Sequence, residues 1–291
     1  MNKRRTKIGY LLLLPALLLI CLLILYPTAE TLYNSFFYYR TQTAAQGIRF
    51  AGLGNYIKLL KDGFFWDSLI WTVLFTILSV GLELIIGMFL AVLMSQKIPG
   101  QKLIRGTILI PWAMPMIVAG IIWGQVFSLD GFLNNILRTA GFLERNIPWL
   151  GSAQTAKIAT LVADIWKNTP YMSLLLMAGM ITIDRQYYEA AKIDGAGSWK
   201  QFWCITLPLI KPTMMVTVLF RIISAMRVYD LIVAMTNGGP GGSTTTVSMY
   251  AMNTYFTYGN IGYGSAMSVV LLIISVIISL FFVDSLQSRL S

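Results

Sequence analysis

"YYEAAKIDGAGSWKQFWCITLPLIKP", residues 187–212, is a polar island between two very apolar stretches. Glu189, Lys192, Asp194, Lys200 and two glycines crowd into it before a Leu-Pro pair reopens an apolar run. Asp184 is placed to cap a short helix running to about Ile193. "DGAG", residues 194–197, then breaks that helix, because glycine supplies the backbone angles a tight turn needs. Ser198 is placed to cap a second short helix that carries Trp199, Phe202, Trp203 and Thr206 on one face, a stripe suited to a membrane interface or to the ends of spans. Pro208 can open the next helix, where a missing N–H costs nothing. The expected result is a helix-turn-helix lug with small Ala190 and Ala191 beside an exposed Glu189. Such a lug is either a docking surface or an ordinary amphipathic connector, and composition leaves both open.

The chain around the island has 291 residues, 56% of them hydrophobic and only 12% charged. A soluble domain carries about 25% charged residues, so the expected class is a polytopic membrane protein. Histidine is absent, which removes histidine catalysis, histidine metal sites and histidine pH switches. Cys21 lies in an apolar run and Cys204 in the island, so no disulfide framework is implied. The net charge of +10 is explained by basic cytoplasmic loops rather than by nucleic acid.

Six apolar runs can cross ~30 Å of hydrocarbon, which takes about 20 helical residues. They cover roughly residues 10–33, 69–94, 103–129, 158–183, 207–235 and 266–283, within one all-α transmembrane domain over 1–291, with the island in the loop 184–206. Barrel strands would alternate at about ten residues instead. With the N-terminus inside, the inner segments hold Lys3, Arg4, Arg5, Lys7, Lys97, Lys102, Arg105, Arg185, Lys192, Lys200, Lys211 and Arg289. The outer ones hold only Arg40, Arg49, Lys58, Lys61, Arg138 and Arg145, so both termini and the island are expected in the cytoplasm. The first run follows "MNKRRTK" but exceeds the ~7–15 residues of a signal core, and no A-x-A site follows, so it reads as an uncleaved helix. "FAGLGNYIKLL" and "FLNNILRTAGF", in the outer loops, read as short amphipathic packing elements.

Spacing decides what the island is. Glu189, Ala190, Ala191, Gly195, Ile205, Leu207 and Pro208 spell E-A-A, three residues, G, nine residues, I-x-L-P. This resembles the EAA loop of bacterial ABC-importer permeases at every fixed position. The resemblance implies the type I importer permease fold. It also implies a coupling helix built from Glu189, Ala190, Ala191, Asp194, Gly195 and Ala196, which docks in a groove of an ATP-binding subunit, with Glu189 paired to a basic residue there. "MTNGGPGGSTTTVSMYAMNTYF", residues 235–256, and the following "YGSAMSVVL" are similar to the outer loop and last span of the carbohydrate-type permeases, the maltose, glycerol-phosphate and multiple-sugar group. Nearly the whole chain from Tyr10 onward shares that likeness, most of all with the first subunit of the heterodimers, without its large extra outer domain. Read alone, "NGGPGG" is a flexible, turn-rich loop whose lack of charge argues against phosphate cradling.

Ionisable residues at membrane depth are expensive and face a cavity or a partner; here they are Glu83, Asp164, Lys167, Arg221, Arg227 and Asp230. Asp164 and Lys167 share a helix face and are placed to neutralise each other, as are Arg227 and Asp230. Arg221 has no partner in its own helix and shares a face with Ser224 and Ala225. Counting from the motifs, the resemblance to maltose-type permeases places Lys167, Asn168 and Tyr171 on one side of a substrate passage, and Arg221, Ser224 and Ala225 on the other. Tyr171 is the one type match. Planar hydrogen-bonding groups and aromatic faces suit a sugar, and Tyr229 adds another.

No G-x-x-x-x-G-K-[ST] occurs, so ATP and Mg belong to a partner. The resemblance implies two such ATP-binding subunits, a second homologous permease subunit forming a heterodimer, and an extracytoplasmic sugar-binding protein. The setting is the lipid bilayer of a bacterial or archaeal cytoplasmic membrane, and no cofactor, metal, nucleic acid or catalytic residue is expected in this chain. The sugar is expected to be a di- or oligosaccharide. Alternatives are glycerol-phosphate or another polar solute, or a secondary transporter, which would call for inverted repeats and broken helices at matching positions. A membrane enzyme would need a catalytic cluster that these scattered carboxylates do not supply.

Overall fold

The computed structural model describes residues 3–42, 47–96 and 99–287, with side chains from Leu12 to Asp284 outside the two gaps. Lys97 and Arg289, two of the basic residues used for orientation, lie outside the described residues. The chain divides into two units, Met1–Gly63 with Tyr250–Ile273, and Phe64–Met249 with Ile274–Ser291.

In the first unit α1 (Lys3–Ile20) continues through a π-helical turn, Cys21–Leu25, into α2 (Tyr26–Ser35). Pro27 has no N–H for the carbonyl of Leu23, and the π-helical turn lies where that bond is missing. β1 (Phe37–Tyr38) and β2 (Arg49–Phe50) pair antiparallel, Phe37 opposite Phe50. α3 (Gly54–Leu60) is the amphipathic piece expected in "FAGLGNYIKLL". It exposes Ile57 and Leu60 and buries Asn55, whose Nδ2 donates to the carbonyls of Ser35 and Phe37, both at 2.9 Å. The Asp62 carboxylate accepts from the hydroxyls of Tyr250 and Tyr263, at 2.8 and 2.6 Å.

The second unit is built on α4 (Gly63–Ser95), a 33-residue helix that runs about 50 Å at 1.5 Å per residue. Ser68, Thr72, Phe75, Ser79, Glu83, Gly87, Ala91 and Met94 are buried, while Leu74, Ile77, Ile85 and Phe89 are exposed. Polar groups inside and aliphatic groups outside reverse the soluble pattern and fit a helix solvated by lipid. α5 (Gln101–Ala113) and α6 (Met116–Val126) follow. Within the single run expected over 103–129 they form a bent pair, with 92° between them. Pro115 disfavours helical angles in the residue before it, and Met114 is extended at φ −75°, ψ 144°.

α7 (Phe132–Thr139) is the second amphipathic piece. Its buried Asn134 joins the loop to itself, donating to the carbonyls of Leu129 and Ile147 and accepting from Ile147 N and Trp149 Nε1. α8 (Ala153–Ile181) has 29 residues, ample length to span, but it buries Asp164, Lys167, Asn168 and Thr169. The island forms α9 (Arg185–Ile193), α10 (Ser198–Gln201) and a π-helical turn, Phe202–Thr206. α11 (Leu207–Met226) then stops short of the run expected to reach 235. Arg227 turns out of helical geometry, and α12 (Asp230–Met235) restarts the helix. The carbonyl of Val228, left unpaired by that break, accepts from Thr246 Oγ1 at 2.9 Å.

The "NGGPGG" stretch is not a loose loop. Thr244 Oγ1 bonds the Thr236 hydroxyl at 2.8 Å and donates to the Gly239 carbonyl at 2.9 Å, and Trp71 Nε1 donates to the Thr244 carbonyl at 3.2 Å. The threonines that follow the glycines supply the bonds the turns lack, which composition did not reveal. α13 (Val247–Met252), a π-helical turn (Asn253–Thr257) and α14 (Ile261–Gln287) complete the chain. Among the described residues four helices are long and apolar enough to cross a membrane: Leu12–Ser35, Gly63–Ser95, Ser198–Met226 and Ile261–Asp284. The bent pair α5–α6, taken as one span, makes five. The chain is mostly helical and has the character of a multi-pass membrane protein.

Candidate functional site

The island folds as the lug its sequence predicts. Asp184 accepts from Gln186 N at 3.1 Å and caps α9. At the other end Gly195 N bonds the Lys192 carbonyl at 3.0 Å and Ala196 N the Ala191 carbonyl at 2.8 Å. With Gly195 at φ +73°, this is a Schellman turn, the helix ending that needs a left-handed residue. Ser198 does not cap α10. Gly197 occupies that position and Ser198 begins the helix, so the turn is one residue shorter than expected.

Two further bonds close the lug, Tyr188 Oη with Thr206 Oγ1 at 2.9 Å and Gln201 Nε2 to the Ala196 carbonyl at 2.7 Å. Glu189, Ala190, Asp194 and Gly195 are exposed, and Ala191 and Ala196 half-buried. Nothing within 4 Å would meet a Cβ on Gly195. Trp199, Phe202 and Trp203 form the expected stripe, with ring centroids 5.5–6.4 Å apart. Together with Leu84, Met88 and Phe89 of α4 they line an apolar groove of about 710 Å³.

The membrane-depth charges are arranged differently from the expectation. Arg221 is not unpartnered. Its Nε and Nη2 donate to the two oxygens of Glu83 at 2.6 and 2.8 Å, and Nη2 also donates to Asp164 Oδ2. All three side chains are 3% exposed or less. Asp164 therefore neutralises Arg221 rather than Lys167, whose Nζ donates to the carbonyl of Trp112 at 2.8 Å. Arg227 and Asp230 form no ion pair with each other; both are exposed. The expected neutralisation assumed neighbours on one helix, whereas α4, α8 and α11 converge and offer a closer charge from another element.

Asp164 and Arg221 also form part of the wall of a cavity of about 420 Å³, whose rim carries Ser224, Arg227, Tyr229 and Asp230. Of the residues counted into a passage, Arg221, Ser224 and Tyr229 line this cavity. Asn168 stands behind it, donating to Asp164 Oδ1 at 2.9 Å. Tyr171 stacks on Trp112, with centroids 5.8 Å apart. Ala225 is fully buried in an apolar cluster with Met172, Leu176 and Ile210. Sequence reading named Glu83 as a membrane-depth charge but gave it no partner. The only available signal was that a lone acid in one run and a lone base in another can satisfy each other.

A lug of this shape and a polar cavity in an apolar helical body point to transport. The family described as "Binding-protein-dependent transport system inner membrane component" matches residues 83–291, most of the chain and both of these sites. The chain belongs to that family. One relative, the "Trehalose/maltose transport system permease protein MalF" of Thermococcus litoralis, is 41% identical over 91% of this chain and 89% of its own length. Another, the "Sulfoquinovosyl glycerol transport system permease protein SmoG" of Agrobacterium fabrum, is 38% identical over 97% of this chain and 91% of its own. In fold the chain is similar to a chain from a crystal structure of a bacterial alginate ABC transporter in complex with a pentasaccharide-bound periplasmic protein, with a TM-score of 0.82. The match covers 96% of this chain and 93% of that one at 20% identity, and it establishes the ABC importer permease fold.

Proposed function

We propose that this family member forms half of the translocation path of an ATP-driven importer for a sugar, a di- or oligosaccharide. The observation that carries the reading is the pair of relatives named for trehalose/maltose and sulfoquinovosyl glycerol, which share 41% and 38% identity over more than nine-tenths of the chain. The complex would contain a second, homologous permease, two ATP-binding subunits that hold ATP and Mg, and an extracytoplasmic binding protein. The setting would be a bacterial or archaeal cytoplasmic membrane. The chain itself is a transport subunit and not an enzyme.

In this reading Glu189, Ala190, Ala191, Asp194, Gly195 and Ala196 form the coupling surface. ATP binding draws the two lugs together and hydrolysis resets them, a two-state switch biased by a ligand. The 420 Å³ cavity falls within the ordinary size of ligand sites. Ser224, Arg227, Tyr229 and Asp230 offer it planar and hydroxyl groups suited to sugar hydroxyls. Lys167, Asn168, Tyr171 and Ala225 belong to the same proposed passage, Asn168 holding the wall residue Asp164. Glycerol-phosphate is the second reading, favoured by the exposed guanidinium of Arg227 at the rim.

Purification of the tagged chain with its co-expressed partners tests the proposal. An ATPase should accompany it, and a binding protein retaining a di- or oligosaccharide should stimulate that ATPase. Uptake driven by an ion gradient with no ATPase in the complex would overturn the reading.

Six spans with both termini in the cytoplasm belong to the same proposal, α8 and the α5–α6 pair completing the count. Single cysteines at Asn2, Ile193 and Arg289 should be protected from an impermeant outside reagent, and one at Phe142 should react. Labelling of Ile193 from outside would put the lug on the side away from ATP and sink the coupling role.

A further inference from the structure

Three ties cross between the two arms that carry the lug. Near the lug is the bond of Tyr188 with Thr206, at 2.9 Å. Midway α8 and α11 touch so closely that a Cβ on Gly179 would lie 2.9 Å from Thr213 Cβ. Deepest is the ion pair of Asp164 on α8 with Arg221 on α11, at the cavity wall. We propose that α8, the lug and α11 form one rigid lever whose deep brace is the Asp164–Arg221 pair, so that displacement of the lug moves the cavity wall with it. The proposal rests on the importer reading, from which it takes only that ATP moves the lug.

The chemistry of the brace supports this role. Both groups are almost fully buried, so parting them would leave the Asp164 carboxylate out of water without its cation, a far larger cost than parting apolar side chains. A greasy contact lets helices slide, whereas a buried charge-assisted bond holds one register. Glu83 takes a different part. It grips the same guanidinium from α4, which is outside the hairpin, and does not line the cavity. The guanidinium thus carries two separable ties, α11 to α8 through Asp164 and α11 to α4 through Glu83.

That separation gives the test. Asp164→Asn removes the α8–α11 tie and leaves Arg221 neutralised by Glu83. Glu83→Gln removes the α4 tie and leaves the lever. In the complete complex in nanodiscs, with Cys21 and Cys204 replaced by serine, spin labels at Ile158→Cys on α8 and Phe220→Cys on α11 occupy exposed positions. Their separation is read by pulsed electron resonance without nucleotide and after trapping with MgATP and vanadate.

In the otherwise unaltered chain the distance should be the same in both states. Asp164→Asn should make it nucleotide-dependent by about 1–2 Å or broaden it, the scale on which packed helices shift. Glu83→Gln should leave it constant. A purely structural role for the ion cluster would treat the two variants alike. A distance that already changes in the unaltered chain overturns the lever, even if Asp164→Asn fails to assemble. So does a constant distance in Asp164→Asn. A complex without MgATP hydrolysis overturns the importer reading and the lever with it, which separates that failure from the other two.

Discussion

Glu189→Ala should reduce solute uptake by about thirtyfold or more while the permease still inserts and folds. The carboxylate sits exposed on α9, and no hydrogen bond or ion pair among the described residues would be broken by its loss. Under the proposed coupling role, its value lies in a partner. Truncating one member of a buried, hydrogen-bonded charge pair at an interface costs about 2–5 kcal/mol, and every 1.4 kcal/mol is tenfold in affinity. Gly195→Pro should act on the same surface through geometry. Proline holds φ near −65° and lacks an N–H, while Gly195 stands at φ +73° and donates to the Lys192 carbonyl. The Schellman turn must open and carry Glu189 away from its setting. Gly195→Ala, strained but still able to donate, should fall between. Uptake, ATPase activity and co-purification of the ATP-binding subunit measure the effect. Normal uptake by Gly195→Pro would show that the lug is only a connector.

The lug was legible because its determinants are local. A capping aspartate, a glycine where the helix must turn left-handed and a proline opening the next helix each act within a few residues, so spacing alone fixes them. The long apolar runs were legible for the same reason. The bend at Pro115 was available in the sequence, since proline restricts the residue before it. Continuous apolar content across the break nevertheless makes 103–129 a single apolar run in the sequence.

The charges were another matter. Helical periodicity pairs Asp164 with Lys167, but the nearer partner of Asp164 is 57 residues away in sequence. A membrane makes long-range pairing decisive, because water is not there to satisfy a charge left over. The threonines after "NGGPGG" belong to the same class. Their bonds to Gly239, Thr236 and Val228 depend on where α12 and α13 arrive.

Arg221→Ala carries the largest expected loss of stability. An arginine with no partner in its own helix, facing a passage, would weaken uptake and leave assembly intact when truncated. The buried pairs with Glu83 and Asp164 reverse that expectation. Removing the guanidinium leaves two carboxylates buried with no cation between them, and breaking a buried pair in this way costs about 3–5 kcal/mol. At roughly 2–4 °C per kcal/mol for chains approaching this size, the melting temperature in detergent should fall by about 6 °C or more. The yield of intact complex should fall with it. The rescue is the more telling half of the experiment. Arg221→Met combined with Glu83→Gln and Asp164→Asn removes every charge at once, and should recover most of the lost stability, since a neutral, similar-sized set leaves no ion without its partner. Recovered assembly with uptake still depressed would assign the cluster to positioning as well as to stability. An Arg221→Ala permease that melts with the unaltered chain and loses only solute uptake would instead return the guanidinium to direct contact with the sugar.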